Sequence, residues 1–142
     1  FKIRVCELSI VNEMSLLIGL VLMTAGTFIG AIWANESWGR YWGWDPKETW
    51  ALITMIVYAF VLHARFIPSL RSDYVFSIMS VFALSSVLMT YFGVNYYLSG
   101  LHSYGSGDVP PGLHIIFFVF SVILLLVFYI GYKQRKFGER AL

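Results

Sequence analysis

Residues 113–132 read LHIIFFVFSVILLLVFYIGY, twenty residues without an Asp, Glu, Lys or Arg. A helix of about 20 apolar residues spans the hydrocarbon core of a bilayer. Three further stretches have comparable length and composition, at about 14–33, 49–66 and 74–98. The pattern predicts an all-α polytopic membrane protein, a bundle of four transmembrane helices that forms a single membrane module over residues 1–142 with two outward-facing functional loops.

The composition of the whole chain supports a membrane protein. Hydrophobic residues make up 58% of the chain and charged residues 13%, about half the charge of a soluble globular domain. The net charge of +2 and the lack of a basic face argue against a nucleic-acid partner. The single cysteine, Cys6, excludes an internal disulfide and a cysteine-based metal cluster.

The distribution of lysine and arginine predicts the orientation in the membrane. If both termini and the connection after the second span lie on one side, that side holds eight of the ten basic residues. The positive-inside rule makes it the cytoplasmic side of a bacterial inner membrane, or the equivalent side of a thylakoid-type membrane. The outer loops, about Ala34 to Lys47 and Ser99 to Gly112, then face the periplasm or lumen. The eight inner basic residues are Lys2, Arg4, Arg65, Arg71, Lys133, Arg135, Lys136 and Arg140.

The first outer loop concentrates the aromatic residues. All five tryptophans fall within residues 33–50, whereas an interfacial aromatic belt would distribute tryptophan over both membrane surfaces. We favour, over a belt alone, an aromatic surface for a large, flat, apolar ligand, with indole N–H groups available to polar substituents. Gly39 and Gly43 between the rings would let such a ligand approach the backbone closely.

Asp45 begins the sequence Asp-Pro-Lys-Glu, which is typical of a helix start. Asp45 suits the N-cap, Pro46 the first helical position, and Glu48 the third position of a capping box. From the residues alone, this structural role is favoured for all three. It predicts that the second span begins here.

Three histidines are the remaining candidates for chemistry. His63 lies in the second span, about 24 Å along the helix from its start, and ionisable residues inside spans are functional candidates. His102 lies in the second outer loop, and His114, at the outer mouth of the fourth span, is interpreted as an interfacial anchor. Zinc needs three or four protein ligands, whereas haem needs only one or two axial ligands. The aromatic loop and the scattered histidines therefore favour haem over a bare metal ion.

The run WANESWGRYWGWDPKETW at residues 33–50 resembles the tryptophan-rich WWD signature of the haem-handling proteins of cytochrome c biogenesis. LHAR at 62–65 and LHSYG at 101–105 narrow the resemblance to the CcsA/ResC branch, with CcmC and CcmF as more distant relatives. The resemblance implies that His102 is an external axial ligand of the haem iron and that His63 marks an inner haem site. The residues that it assigns to the external haem surface are Trp38, Trp42, Trp44 and Asp45.

The resemblance also implies an activity. Members of this family bind haem b and move it across the membrane, and with a separate or fused CcsB/ResB-type partner they attach its vinyl groups to the CxxCH cysteines of apocytochrome c. A cytochrome c haem lyase of the holocytochrome c synthase type is therefore expected. A haem carrier without ligation activity and a structural membrane anchor subunit remain alternatives. The family places another external histidine before the WWD segment, and none precedes Trp33 here, so we expect the chain to be a C-terminal segment of such a protein.

Overall fold

The computed structural model of the chain describes residues 2–98 and 111–140, with side chains for residues 6–98 and 111–133. Within these ranges the chain forms helices and short connections, and no strand. The helices are α1 (Lys2–Trp38), α2 (Pro46–Ala64), α3 (Asp73–Leu88), a π-helical segment (Met89–Gly93), α4 (Val94–Tyr97) and α5 (Leu113–Arg140). The predicted all-α fold is confirmed.

Three helical stretches are long and apolar enough to cross a membrane, which confirms an integral membrane protein. They are Cys6–Trp38, Leu113–Lys133 and Asp73–Tyr97, the last of which runs without a break through α3, the π-helical segment and α4. They correspond to the first, fourth and third predicted spans. The second predicted span corresponds to α2, whose 19 residues begin at Pro46, as the predicted helix start indicates, and include Lys47, Glu48 and His63. These polar side chains make α2 less apolar than the other three.

The chain divides into two compact units, one within residues 1–106 and the other within residues 107–142. The second unit contains α5, in which Ile116, Phe118 and Leu125 are each more than half exposed. Exposed apolar side chains of this kind are expected on a helix that faces lipid. The single membrane module over residues 1–142 stays a prediction.

The core of the first unit lies between α2 and α3. Val61 of α2 packs with Phe76 and Ala83 of α3, and all three side chains are buried. Leu16 of α1 and Val57 of α2 pack against this cluster. The apolar contacts therefore hold α1, α2 and α3 together.

Arg65, at the end of α2, joins the same three helices through polar contacts. Its guanidinium lies 3.1 Å from the Glu13 carboxylate of α1 and 2.9 Å from the Asp73 carboxylate of α3. It also donates to the Ser9 hydroxyl, which itself donates to Asp73 over 2.7 Å. The guanidinium carbon lies 4.2 Å from the centre of the Phe76 ring, a cation–π distance. One cationic side chain thus ties the three helices together at the end of the unit opposite the tryptophans.

Candidate functional site

The tryptophan-rich loop is shorter than predicted. α1 continues through Trp38, because residues 34–37 contain neither glycine nor proline, and Gly39 follows with a φ of 70°. A glycine in the left-handed region commonly ends a helix, and its N–H donates to the Asn35 carbonyl over 2.8 Å. The predicted loop of about 34–47 is therefore wrong at its start, where α1 continues for five more residues, whereas its end agrees with the predicted helix start at Asp45 and Pro46. The connection comprises residues 39–45, and Trp33 and Trp38 lie on α1.

The start of α2 confirms the predicted capping box. Asp45 precedes the helix, Pro46 lies in its first turn, and the Asp45 carboxylate accepts the Lys47 N–H over 3.0 Å. The Glu48 carboxylate closes the box by accepting the Asp45 N–H over 3.2 Å. Asp45 is only 7% exposed. Its carboxylate therefore caps the N-terminus of α2.

Glu48 also shapes the loop that precedes the helix. Its Oε2 accepts the Gly43 N–H over 2.7 Å in addition to the Asp45 N–H, and Trp44 lies between these two anchored amides. Trp44 has a φ of 56°, a left-handed conformation that costs a bulky residue about 1–3 kcal/mol. Trp44 is nevertheless 70% exposed. The loop holds it in a strained conformation without burying its ring.

The tryptophan rings are arranged in perpendicular pairs. Trp33 and Trp38 on α1 have ring centres 5.1 Å apart and planes at 80°. Trp42 and Trp44 in the loop have ring centres 5.8 Å apart and planes at 87°. Edge-to-face packing is a favoured geometry for aromatic pairs. Each pair therefore restricts the orientation of both of its rings.

A cavity of about 480 Å³ opens between α1, the loop and the start of α2. Its volume is within the range of sites that enclose a cofactor-sized ligand. Most of its lining is apolar or aromatic, and its charged groups come from the first turn of α2. A Cβ on Gly30 would meet no atom within 4 Å, so the wall formed by α1 is open at this point. The lining residues are Thr27, Gly30, Ala31, Trp33, Ala34, Tyr41, Trp42, Lys47, Glu48 and Ala51.

Lys47 connects this cavity to the end of the third span. Its ammonium group donates to the Asn95 side-chain oxygen of α4 over 3.1 Å. The Lys47 backbone is fixed by the capping box, and Lys47 is partly buried. The lysine is thus restrained at both its backbone and its ammonium group while it lines the cavity.

The predicted site residues are distributed unevenly around the cavity. Trp42 lines it directly, whereas Trp38 and Trp44 contact ring partners beside it. Asp45 is buried at the helix start next to the lining residue Lys47. His102 lies outside the described residues.

His63 lies far from this cavity, near the other end of α2. It is sixteen residues beyond Lys47, which is about 24 Å along a helix. His63 is exposed, its Nδ1 lies 2.7 Å from the Ala59 carbonyl oxygen, and its ring packs edge-on against Phe66. A carbonyl oxygen can only accept, so Nδ1 is the donor in this bond, and Nε2 is the ring nitrogen that the bond leaves open to a metal. Within the described residues, no group of three His, Cys, Asp or Glu side chains converges on a metal-sized site.

Sequence reasoning missed the contribution of α1 to the cavity. Thr27, Gly30 and Ala31 line it, but small residues four apart in an apolar helix are equally typical of helix–helix contact. It also missed the hydrogen bond between Lys47 and Asn95, which lies within an aromatic run. The contact between Asn95 and Lys47 joins residues 48 positions apart, and no local pattern signals such a pair.

The sequence that forms this cavity matches a known protein family. Residues 5–102 match the family described as "Cytochrome C assembly protein", which is more than half of the chain and includes the whole cavity. This chain belongs to the cytochrome c assembly protein family. The family match therefore confirms the resemblance that the tryptophan run indicated.

Individual curated proteins are also similar to the chain. Protein NrfI of Wolinella succinogenes is 57% identical over 105 residues, which is 74% of this chain and 12% of NrfI. The cytochrome c biogenesis protein CcsA of Hordeum vulgare is 47% identical over 94 residues, and that of Saccharum officinarum is 46% identical over 93 residues. Each CcsA match covers 66% of this chain and 29% of the relative. The chain therefore spans less than a third of the length of these curated relatives.

Proposed function

We propose that the chain acts in cytochrome c biogenesis by holding haem b in the tryptophan-rich cavity for attachment to apocytochrome c. The cavity of about 480 Å³ carries this proposal. It combines aromatic walls with two charged residues, Lys47 and Glu48, from the first turn of α2. Haem has the matching chemistry, because its macrocycle is flat and apolar and its two carboxylates leave from one edge.

Trp42 and Lys47 have distinct roles in this proposal. The Trp42 ring provides a contact surface for the macrocycle, and the Lys47 ammonium can form a charge-assisted hydrogen bond with a haem carboxylate. Trp44 is exposed beside Trp42, where its ring can contact haem or the incoming apocytochrome. Trp38 supports Trp33, which lines the cavity.

The histidines provide axial ligands at two positions. We assign His102 as the axial ligand of the haem iron in the outer site, as the family resemblance implies. We assign an inner site to His63, whose Nε2 remains available because Nδ1 bonds the Ala59 carbonyl. Haem then passes from the His63 site to the outer cavity.

The attachment step needs no nucleophile from this chain. Each thiol of the CxxCH motif adds to a vinyl group: the sulfur bonds the vinyl carbon next to the ring, and the terminal vinyl carbon gains a proton. Neither an oxidant nor a leaving group is required for the addition. The protein's contribution is to hold haem in a fixed position and orientation, an effect that can lower a barrier by several kcal/mol. The proposed activity is therefore that of a cytochrome c haem lyase.

The proposal also includes a location and partners. The apolar helices place the chain in a lipid bilayer, and the basic residues favour cytoplasmic termini with the tryptophan-rich and LHSYG loops on the periplasmic or lumenal side. A CcsB/ResB-type membrane protein, separate or fused, is the proposed partner in ligation. A reporter fused after Leu142 should behave as cytoplasmic, and a periplasmic signal would overturn this orientation.

The test uses the full-length protein, purified in detergent and supplied with haem and a CxxCH peptide. We expect a Soret band from bound haem and covalent haem on the peptide. Trp42→Ala should lower the haem content several-fold, whereas Phe60→Ala, which removes an exposed aromatic ring of α2 outside the cavity, should leave it unchanged. Bound haem that stays fully extractable would identify a carrier and overturn the lyase activity. The absence of a Soret band would overturn haem binding and leave a structural anchor.

A further inference from the structure

We propose that a second cavity in the first unit binds one phospholipid, which fills a gap between α1 and α3. The cavity has a volume of about 500 Å³, and Tyr58 of α2 forms part of its wall. It shares no lining residue with the tryptophan-rich cavity. His63, five residues beyond Tyr58, points about 140° away from it around α2. The proposed lipid site is therefore separate from both proposed haem positions and does not depend on haem binding.

The position of the cavity along the helices matches one leaflet of a bilayer. Ser9 lines one end and contacts Asp73 and Arg65, which belong to the polar cluster at the end of the unit. Leu84 lines the other end, eleven residues beyond Asp73 and so about 16 Å further along α3. Half of the hydrocarbon core of a bilayer is about 15 Å thick. The cavity therefore has the depth of one acyl chain, whereas another transmembrane helix would need a groove along the whole span.

The lining changes from polar to apolar along this depth. Ser9 and Ser77 lie towards the polar cluster, and Leu16 and Leu84 lie towards the membrane centre. No charged side chain lines the cavity, and Arg65 beside it is paired with two carboxylates. Such a lining suits a ligand with neutral polar groups near the membrane surface and an apolar chain below them. The ester groups and acyl chain of a phospholipid have this arrangement whatever its head group.

Two polar groups in the lining have hydrogen-bonding capacity left for a ligand. Asn12 donates one hydrogen of its side-chain amide to the Ser80 hydroxyl over 3.0 Å, and an amide nitrogen carries two hydrogens. Within residues 6–98 and 111–133, the Tyr58 hydroxyl has no hydrogen-bond partner. An unpaired polar group is costly in a bilayer, because the hydrocarbon contains no water to bond with it. Both groups can donate to an ester carbonyl oxygen.

Asn12 lies at the depth expected for these ester groups. Ser9 donates to Asp73, the first residue of the third span, and Asn12 is three residues, about 4.5 Å, further along α1. The polar layer outside the hydrocarbon core is about 5–7 Å thick on each side, and the ester groups lie at its inner boundary. If the polar cluster lies in this layer, the Asn12 amide is level with the ester carbonyls.

The first experiment counts bound phospholipid by native mass spectrometry. The full-length protein is purified in a mild detergent and supplied with dioleoyl phosphatidylcholine. Ser80→Phe places a ring in the cavity, and Ser85→Phe places the same ring at an exposed position of α3 outside it. We expect the wild type and Ser85→Phe to retain one phospholipid more than Ser80→Phe. Dioleoyl phosphatidylglycerol should be retained equally well, because the lining is uncharged.

The second experiment compares dioleoyl phosphatidylcholine with its diether analogue, which has no ester carbonyl oxygens. The wild type should bind the ester lipid several-fold more tightly, as expected for one or two hydrogen bonds. Asn12→Leu and Tyr58→Phe should each reduce this preference. Ser80→Ala is the matched control, because it removes the bond to Asn12 but leaves the Asn12 amide in place. It should keep the preference.

Several results would overturn the proposal. A wild type that retains no phospholipid would show that water or another helix of the full-length protein fills the cavity. Equal lipid numbers in Ser80→Phe and Ser85→Phe would place the retained lipid elsewhere. Equal wild-type affinity for the ester and ether lipids would exclude hydrogen bonds from the lining, and a preference for phosphatidylglycerol would contradict an uncharged site. If Ser80→Phe does not fold, the ester preference of Tyr58→Phe, which keeps the ring, decides.

Discussion

At the scale of single residues, Glu48 has the broadest influence on the site. One carboxylate oxygen accepts two backbone N–H groups, those of Gly43 and Asp45. These bonds hold the residue between them, Trp44, at a φ of 56°. A strained conformation persists only where its surroundings determine it. Glu48 therefore links the local capping chemistry of α2 to the presentation of an exposed aromatic ring.

The strain at Trp44 predicts a trade-off between stability and function. Trp44→Gly should be more stable than Trp44→Ala by about 1 kcal/mol, because glycine adopts positive φ without steric cost. Both variants should bind less haem than the wild type, because both lack the indole. Thermal unfolding in detergent and the haem content of the purified protein measure the two effects. Equal stability of the two variants would contradict the strain at this position.

A second residue-scale prediction separates the two roles of Asp45. As an N-cap, Asp45 accepts the Lys47 N–H, and asparagine can do the same. Asp45→Asn should therefore preserve stability, whereas Asp45→Ala should lower it by about 1 kcal/mol. If the carboxylate also contacts haem, as the family resemblance implies, Asp45→Asn will lower haem content without a change in unfolding temperature. Unchanged haem content in Asp45→Asn would assign Asp45 to the helix start alone.

At the scale of elements, the sequence predicted what local chemistry determines. The Asp-Pro-Lys-Glu run predicted the capping box because its hydrogen bonds join residues two or three apart. The apolar stretches predicted three spans because length and hydropathy are local quantities. The end of α1 differs from the prediction. The tryptophan-rich sequence predicted a loop from about residue 34, but the residues before Gly39 are compatible with a helix, and α1 continues to Trp38. The π-helical segment was also missed, because a one-residue change in hydrogen-bond register has no simple sequence pattern.

The polar cluster around Arg65 gives a prediction about how the helices are joined. Arg65→Met removes the ion pairs to Glu13 and Asp73 and leaves two carboxylates close together. We expect a loss of about 1–2 kcal/mol, less than for a fully buried pair, because the carboxylates are about 40% exposed. Adding Glu13→Gln and Asp73→Asn should recover part of the loss by removing the unpaired charges. Thermal unfolding of the single and triple variants measures this, and a triple variant less stable than Arg65→Met would contradict it.

At the scale of the whole molecule, the site depends on how consecutive elements converge in space and on one contact from a distant part of the chain. The cavity needs α1, the loop and α2 to converge, with lining residues from Thr27 to Ala51. Asn95, at the far end of the third span, contacts the lining residue Lys47. Composition and motifs identified the aromatic part of this site. They could not predict the cavity, because its walls exist only once α1 and α2 are packed.

The length of α2 separates the two proposed haem positions. His63 lies about 24 Å along α2 from the cavity, whereas a metal–imidazole bond is only about 2 Å long, so an iron atom at the cavity cannot also bind His63. If haem passes from the inner position to the outer one, His63→Gly should reduce the haem that reaches the cavity. His102→Gly should leave haem arriving but with an altered Soret band, and added imidazole should restore that band by filling the space of the missing side chain. Absorption spectra of the purified full-length variants, with and without imidazole, measure both effects. Identical haem loss in the two variants, without rescue in either, would show that the two histidines do not ligate haem at successive positions.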